Sequence, residues 1–284
     1  MANKLRILSA ALALAAVPAI AAAQGDGRNL TTWRWDGRVE SGHWMGVHNV
    51  NGEIRVLPSS DNQVHVVAEK IENGGDISEV TFQVVQSGGD VNVCAIWHDN
   101  GTCDIDGYHQ NRDNDGHRNR TRVNFTVRVP GNLRVRVASV NGAVSVRDVG
   151  AQVSAATVNG ALEVRNASGP VRASTVNGGI DVTTANGPVN ATTVNGDIDA
   201  RMTSLSGSDD MRFGTVNGSV TIMVPSGFDA NVSFETLHGS IGSDFPITLS
   251  GRFGPRRASG VIGSGGRELH ASTVNGSIDL RKSN

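Results

Sequence analysis

The chain has 284 residues, of which 38% are hydrophobic, 4% are aromatic and 35 are glycine. Its 25 Lys and Arg against 27 Asp and Glu give a formal net charge of −2 at pH 7. This balance offers no overall positive charge for binding nucleic acid or an anionic membrane surface. Few helix formers and many Val, Thr, Asn and Gly indicate strands and tight turns, so we expect an all-β protein.

The first residues have the organisation of a secretory signal peptide. Lys4 and Arg6 precede an apolar run from Ile7 to Ala23, which ends on a small-residue cleavage site of the A-x-A type. The run is short for a membrane span. We therefore expect a signal peptide over residues 1–23 and an exported chain that does not span the membrane. Periplasm, cell surface and secretion remain alternative destinations.

The part of the chain before the regular repeats is predicted to be β-rich. Five segments have strand character, and they are residues 63–68, 79–85, 90–96, 122–129 and 133–137. Between two of them, residues 99–121 are Asp, Asn, His, Arg and Gly with hardly an apolar side chain, which predicts a surface loop. All four tryptophans precede residue 100, and we expect them to cap an end of the fold rather than to stack on a ligand.

The two cysteines flank the start of this loop. Cys94 and Cys103 have eight residues between them, and an oxidising compartment favours a disulfide that staples the loop. A metal site with His98, His109 and His117 is the rival interpretation, but the spacing fits no zinc pattern.

The tetrapeptide T-V-N-G, or V-N-G after another residue, recurs along the chain, and an apolar-polar-apolar triplet follows it. In the middle of the chain its asparagine returns every eighteen residues, at Asn141, Asn159, Asn177 and Asn195. The series continues with Asn217, with His238 in place of asparagine, and with Asn275; an earlier copy, V-N-G-E-I-R-V, begins at Val50. A fixed period near twenty residues predicts a repeat architecture.

Each unit contains two strand-turn halves, because Gly-Pro-Val turns such as that at Gly169 lie midway between neighbouring V-N-G turns. One unit buries too little apolar surface to offset the entropy of ordering it, so neighbouring units must stack. We therefore predict a parallel β-solenoid (β-helix) with coils of about 18 residues. Asn-Gly is also the strongest hairpin signal, which makes an antiparallel meander the structural alternative.

The solenoid model assigns a structural role to the repeated corner. Glycine supplies a positive φ, asparagine tolerates the left-handed conformation, and stacked asparagine amides can form a ladder. We expect a single domain over residues 24–284, with a cap and first coils over 24–130 and regular coils over 131–284. Thr and Asn two residues apart also predict a flat hydroxyl-amide array, which is either a solvated sheet face or a surface that binds a glycan or ice: Thr157, Asn159, Thr175, Asn177, Thr193 and Asn195.

Acidic residues offer weaker candidates for chemistry. Parallel stacking brings Glu163, Asp181 and Asp199 into one column, which must be solvated or hold a cation such as calcium. A second candidate calcium site lies in the polar loop, where the match to an EF-hand fails at Arg122. Its acidic residues are Asp104, Asp106, Asp113 and Asp115. Paired carboxylates could also serve a glycosidase, although small residues flank this column.

Taken together, these motifs carry a resemblance to a known family. A signal peptide leads to V-N-G-E-I-R-V, V-N-V-C-A-I-W, F-T-V-R-V-P, serial T-V-N-G coils and a closing A-S-T-V-N-G-S-I-D-L. The mature chain resembles the bacterial putative-adhesin family, an exported β-strand-repeat domain of unknown function. The resemblance implies a β-solenoid exported to the cell envelope, and the family has no agreed ligand or catalytic residues.

The resulting functional hypothesis is a non-catalytic module that binds a glycan or another envelope or surface component through its flat faces. A scaffolding protein of the cell envelope is the alternative, and a polysaccharide-cleaving β-helix enzyme is a third. No cofactor other than calcium is expected. Neither the ligand nor the oligomeric state can be deduced from these patterns.

Overall fold

Apolar and polar residues alternate through each half of the repeat, and each half forms a β-strand. The computed structural model describes residues 22–23, 25–97, 101–110, 119–184, 186–250 and 256–283. These residues form 26 strands and one 3₁₀ helix, Ile77–Glu79. No helix in these ranges has the length and apolar character that a membrane span needs. The all-β class is confirmed.

The strand bounds follow the repeat in the middle of the chain and depart from it at both ends. The strands before the regular repeats are β1 (Ala22–Ala23), β2 (Thr32–Gly37), β3 (Trp44–His48), β4 (Ile54–Pro58), β5 (Val64–Ile71), β6 (Val80–Ser87), β7 (Asp90–Trp97), β8 (Gly101–Cys103), β9 (Tyr108–Gln110) and β10 (Arg122–Val129). The regular repeats form β11 (Arg134–Ala138), β12 (Val144–Arg147), β13 (Gln152–Ala156), β14 (Leu162–Ala167), β15 (Val171–Ser174), β16 (Ile180–Thr184), β17 (Val189–Thr192), β18 (Ile198–Met202), β19 (Met211–Gly214) and β20 (Val220–Pro225). The remaining strands are β21 (Ala230–His238), β22 (Ile241–Ser243), β23 (Thr248–Ser250), β24 (Arg256–Ile262), β25 (Glu268–Asn275) and β26 (Ile278–Ser283).

Two twelve-stranded sheets face each other, and every coil of the solenoid contributes one strand to each. The first sheet has the order β1-β2-β5-β10-β4-β12-β14-β16-β18-β20-β26-β22, and the second has β23-β24-β21-β25-β19-β17-β15-β13-β11-β3-β7-β6. The regular strands pair in parallel and without a register shift across most coils, for example β16 with β18 and β15 with β17. The predicted parallel solenoid is confirmed, and the antiparallel meander is wrong.

The core lies between the two sheets. The register places equivalent apolar residues of successive coils side by side. Leu162 pairs with Ile180, and Ile180 with Ile198, and all three are no more than 2% exposed. Facing them, the second sheet contributes smaller side chains such as Ala173 and Ala191. Burial of this continuous apolar column stabilises each coil only through its neighbours, as expected of a solenoid.

The first end of the stack is closed by antiparallel strands and aromatic side chains. Strands β2 and β5 extend the first sheet, and β6 extends the second. Three of the four tryptophans, Trp33, Trp35 and Trp97, are buried here, and Trp33 stacks on Phe82 with ring centroids 4.7 Å apart. Trp44 differs from the others, because it lies half-buried on the outer face of the second sheet.

At both ends the order of coils in space departs from their order in the chain. The coil of β3 and β4 lies between that of β11 and β12 and a later layer of β7 and β10. At the other end, the coil of β25 and β26 lies between the coil of β19 and β20 and the coil of β21 and β22, although β21 and β22 precede it in the chain.

In the polar segment over residues 99–121, the described residues 101–110 contain two short strands. Strands β8 and β9 form an antiparallel hairpin there, so the expected surface loop is corrected to a hairpin for residues 101–110. The predicted disulfide between Cys94 and Cys103 is confirmed, and it ties this hairpin to β7. His98 and His117, named in the rival metal hypothesis, lie outside the described residues.

Candidate functional site

The threonine of each T-V-N-G corner points into the protein. Thr157, Thr175 and Thr193 are only 5–6% exposed. Each hydroxyl donates a hydrogen bond to the glycine carbonyl of the preceding coil, with Oγ1 of Thr175 lying 3.1 Å from the oxygen of Gly160. A buried carbonyl without a partner would destabilise the corner, so this hydroxyl links one coil to the next.

The asparagines form the ladder that the stacking model predicts. Each side-chain Nδ2 donates to Oδ1 of the asparagine in the preceding coil at 2.7–2.8 Å. The ladder runs in the order Asn51, Asn141, Asn159, Asn177, Asn195, Asn217 and Asn275, and His238 follows it in register. The expected left-handed asparagine is wrong, since the only described non-glycine residues with positive φ are Asp148 and Asn166.

The glycine is required mainly by a close contact between coils. A Cβ atom on Gly178 would lie 2.0 Å from the carbonyl oxygen of Gly160, and one on Gly160 would lie 2.2 Å from that of Gly142. These distances are far below van der Waals contact. The corner therefore excludes side chains because the next coil passes directly beside it.

The predicted array of Thr157, Asn159, Thr175, Asn177, Thr193 and Asn195 is only half on the surface. Its threonines are inside, which corrects the expectation of a flat hydroxyl-amide face. The valine between them faces outward instead and is 37–39% exposed in the copies Val140, Val158, Val176, Val194, Val216 and Val274. The corner therefore presents valine side chains beside asparagine amides that already bond to one another.

The column of acidic residues lies on the outer face of the first sheet. Glu163 pairs in register with Asp181, and Asp181 with Asp199, at the strand spacing of about 4.8 Å. Arginines from the neighbouring outward column reach these carboxylates. Arg147 Nη2 lies 2.6 Å from Glu163, and Arg165 bridges Glu163 and Asp181, with 3.2 Å to the latter. Glu163 and Asp181 are therefore charge-compensated.

These ion pairs also change the pKa of Glu163. Partial burial opposes its ionisation, but hydrogen bonds from Arg165 and Arg147 outweigh that effect and lower its pKa below the usual value. The acidic pattern alone does not indicate these arginines. The sequence still carries a signal, because Arg165 lies two residues after Glu163 and Arg147 two residues after Ser145, the position of the column in the preceding coil, and therefore on the same face of the strand.

Two shallow depressions flank the acidic column and meet at Asp181 and Asp199. One, of about 490 Å³, lies on the side of Arg165 and Arg201. The other, of about 650 Å³, lies on the side of small residues and Asp197. Together they form an open groove along the stack, with carboxylates at its centre and guanidinium groups on one wall. We refer to this surface as the acidic groove.

The structure brings together few of the residues considered for calcium. Among the described residues, no group of three or more His, Cys, Asp and Glu side chains has an arrangement that could hold a metal ion. Asp104 accepts hydrogen bonds from the backbone N–H groups of Asp106 and Gly107, and its other oxygen lies 2.9 Å from His109. Asp113 and Asp115 lie outside the described residues.

Comparison with protein families gives one match that spans most of the chain. The model of the Toastrack DUF4097 family matches residues 46–281. Comparison with curated proteins gives no match.

Two solved structures are similar in extent but distant in sequence. A putative cell adhesion protein from Clostridium sporogenes ATCC 15579 is 10% identical and covers 88% of this chain and 99% of its own, with a TM-score of 0.32. A putative adhesin from Bacteroides fragilis NCTC 9343 is 11% identical and covers 89% of this chain and 98% of its own, with a TM-score of 0.44.

Proposed function

The chain belongs to the Toastrack DUF4097 family, and we propose that it is an exported, non-catalytic module that binds a surface glycan along the acidic groove. The fold is a solenoid, and the groove carries the charged side chains that can contact a ligand. Its outward positions repeat once per coil, at about 4.8 Å, so that a ligand with repeating units meets similar partners along its length.

The single observation that carries the proposal is the pairing of acidic and basic columns in the groove. Carboxylates accept hydrogen bonds from sugar hydroxyls, and guanidinium groups donate to them. Because Arg147 and Arg165 already compensate Glu163 and Asp181, a neutral glycan can bind without bringing a counter-charge. Small residues on the opposite wall, such as Ala161 and Gly179, leave room for sugar rings.

The same ion pairs argue against Glu163 as the general acid of a glycosidase. A hydrolase of this class needs one carboxyl group whose pKa is raised, so that it stays protonated and can act as the general acid. The pKa of Glu163 moves in the opposite direction because two arginines bond to it. This supports a binding role for the groove.

Binding of the full chain to immobilised neutral polysaccharides, with and without calcium, tests the proposal. We expect saturable retention without release of oligosaccharides. The double variant Asp181→Asn with Asp199→Asn should weaken retention about tenfold or more, because each carboxylate hydrogen bond is charge-assisted. Asp209→Asn, in an exposed loop outside the groove, is the matched control and should bind normally.

Two outcomes would replace the proposal. Oligosaccharide release that is lost in Asp181→Ala would establish the polysaccharide-cleaving enzyme instead. Failure to retain the wild-type chain on any neutral glycan would leave the envelope scaffold as the better hypothesis.

A further inference from the structure

The outer face of the second sheet carries a column of basic residues. Parallel pairing places outward-facing side chains of successive coils beside one another. The column runs across six coils in the order Arg136, Ser154, Arg172, Asn190, Arg212 and His270. Arginines therefore recur at every second coil, about 10 Å apart, which exceeds the screening length of about 8 Å at physiological ionic strength.

These arginines differ from those of the acidic groove in having no acidic partner. Within the described residues, no ion pair includes Arg134, Arg136, Arg172 or Arg212. On the first sheet, by contrast, Arg147 and Arg165 contact carboxylates. The chain has a net charge of −2, so this positive face does not follow from a basic composition.

Small side chains border the basic column and leave it open at Arg172 and Arg212, whereas Arg136 is half-buried and its Nη1 donates to the carbonyl of Ile105 in the β8–β9 hairpin at 3.4 Å. The neighbouring outward column consists of Ala138, Ala156, Ser174, Thr192, Gly214 and Ser272. Arg172 and Arg212 are exposed and longer than any of these neighbours, so their guanidinium groups stand above a low, flat surface. A polymer lying along the stack can reach them without displacing other side chains.

An aromatic side chain lies at one end of this face. The guanidinium groups of Arg136 and Arg134 lie 4.7 and 5.8 Å from the ring centroid of half-buried Trp44. The nearby carboxylate of Asp90 already accepts from the backbone N–H of Trp44 at 2.9 Å and contacts His43 at 3.0 Å.

Among the described residues, carboxylates lie at the two ends of the face, with Asp90 beside Trp44 and Asp210 beside Arg212. Asp210 lies in the same strand region as Arg212, and it accepts the backbone N–H of Glu268 at 2.9 Å. Glu268 in turn accepts a hydrogen bond from the side chain of Asn231. The stretch from Trp44 to Arg172 is therefore positively charged and uninterrupted by acids among the described residues of the two outward columns.

We propose that this face, defined by Trp44, Arg134, Arg136, Arg172 and Arg212 and called here the basic face, binds an acidic polysaccharide. Its carboxylate or sulfate groups pair with the arginines, whose planar guanidinium groups suit both anions. The hydroxyl and methyl groups of the neighbouring column contact the sugar rings. A nucleic acid fits less well, because single-strand binding sites interleave several aromatic side chains with the cations, and this face has one.

Binding to polygalacturonate, dextran sulfate and neutral dextran by the full chain tests the proposal. We expect saturable binding to an acidic polymer that is at least tenfold tighter than any binding of dextran at the acidic groove, and that weakens steadily as salt is raised. The double variant Arg172→Gln with Arg212→Gln should raise Kd about tenfold or more for each arginine lost. Arg172→Lys with Arg212→Lys should bind with intermediate affinity, since it keeps the charge and loses the planar fork.

The matched control is Arg122→Gln with Arg128→Gln. Both arginines are exposed on the outer face of the first sheet and lie outside the acidic groove, so this pair removes the same charge from the opposite side of the molecule. Its affinity should stay within about twofold of wild type, and both double variants should keep the wild-type melting temperature.

Equal weakening by the Arg172→Gln, Arg212→Gln variant and by the control variant would overturn the proposal. Binding to dextran or to double-stranded DNA as tight as that to the acidic polymers would also overturn it, and so would the absence of binding to any acidic polymer at low salt. The acidic-groove variant Asp181→Asn with Asp199→Asn should leave binding of the acidic polymer unchanged, which distinguishes a failure of this proposal from a failure of the acidic groove.

Discussion

Each residue of the T-V-N-G corner makes a different contact between coils. Threonine donates to a carbonyl inside the corner, valine faces solvent, asparagine continues the ladder, and glycine lets the next backbone approach. Three of the four residues therefore act on the neighbouring coil rather than on their own. This explains why the tetrapeptide repeats, since a coil donates hydrogen bonds to one neighbouring coil and accepts them from the other.

Replacing the corner glycine should destabilise the protein strongly. In Gly178→Ala the new Cβ would lie 2.0 Å from the carbonyl oxygen of Gly160, and the atom it meets is backbone, which cannot swing away. We expect a loss of about 3 kcal/mol or more in the free energy of unfolding, measured by urea titration. Gly227→Ala is the control, because a Cβ there meets nothing within 4 Å. A stable Gly178→Ala protein would show that the coils are spaced more widely than described.

The threonine hydroxyl should matter more than the exposed valine beside it. Thr175→Val keeps the shape of the side chain but leaves the Gly160 carbonyl without its donor at 3.1 Å, and we expect a loss of about 1–2 kcal/mol in unfolding free energy. Val176→Thr makes the reverse change on the surface and should alter stability by less than about 0.5 kcal/mol. Similar losses in both variants would contradict the inward orientation of Thr175.

The ladder and the stacked strands could be predicted from the sequence, but the direction of the corner side chains could not. Alternation tells which residues share a face within one strand. It is interrupted at the corner, and nothing in the four letters decides whether Thr or Val continues the inward series. The decision depends on the glycine carbonyl of the adjacent coil, which only the three-dimensional stack supplies.

At the scale of elements, the β8–β9 hairpin covers part of the second sheet. Asn92 Nδ2 donates to the carbonyls of Asp104 and Ile105, each at 2.7 Å. Beneath the hairpin His48 is 7% exposed, and its Nε2 has no hydrogen-bond partner in the described part of the chain. Gly107 lies against its ring, where a Cβ would come within 2.9 Å of Cε1.

This burial predicts an acid-sensitive element. Burial, reinforced by the charge of Arg136, lowers the pKa of His48 to about 4, while Asp104 opposes the shift and His109 adds to it. Below a pH of about 6.5 the unfolded chain therefore binds a proton that the folded chain does not, so stability falls as the pH drops towards 4.

His48→Leu should remove this pH dependence. Between pH 7 and pH 5, wild type should lose about 2 kcal/mol more unfolding free energy than the variant, as measured by urea titration at each pH. Carboxylates stay largely ionised in this window, and the other histidines are common to both proteins. Parallel stability curves would show that His48 is protonated or solvated in the folded state.

The hairpin itself was beyond prediction from the sequence. Polar composition indicates only a surface loop, and the two cysteines indicate the disulfide. The packing partners, however, are backbone carbonyls of residues 104 and 105, which no pattern of side chains reveals. For the same reason His48 had no feature in the sequence that marked it as buried.

At the scale of the whole molecule, the order of the coils along the stack differs from their order in the sequence, because a coil can lie between two others that both precede or both follow it in the chain. The repeat could not predict this order, because near-identical corners can stack on one another in any sequence. The connections decide it: the long segments that follow β4 and β22 allow the chain to leave the stack and return one layer away. The strands of the regular repeats were accessible from periodicity, whereas the order of the coils at the two ends was not.

The inserted coil of β25 and β26 should be as protected as the middle of the stack. It pairs on both sides in both sheets, unlike a terminal coil that frays. Hydrogen exchange followed by mass spectrometry should therefore give its amides protection similar to that of β15 to β18, although they lie close to residue 284. Rapid exchange over residues 268–283, at rates typical of fraying ends, would contradict the inserted position.

The asparagine ladder gives the stack a polarity. All six bonds point the same way, from Nδ2 of one coil to Oδ1 of the coil before it. The amide dipoles therefore add along the axis as peptide dipoles do in a helix, with the positive pole at Asn51 and the negative pole at Asn275. Bonds aligned in this way polarise one another, so an interruption at the centre would leave two weaker dipoles, whereas one at either pole would only shorten the array.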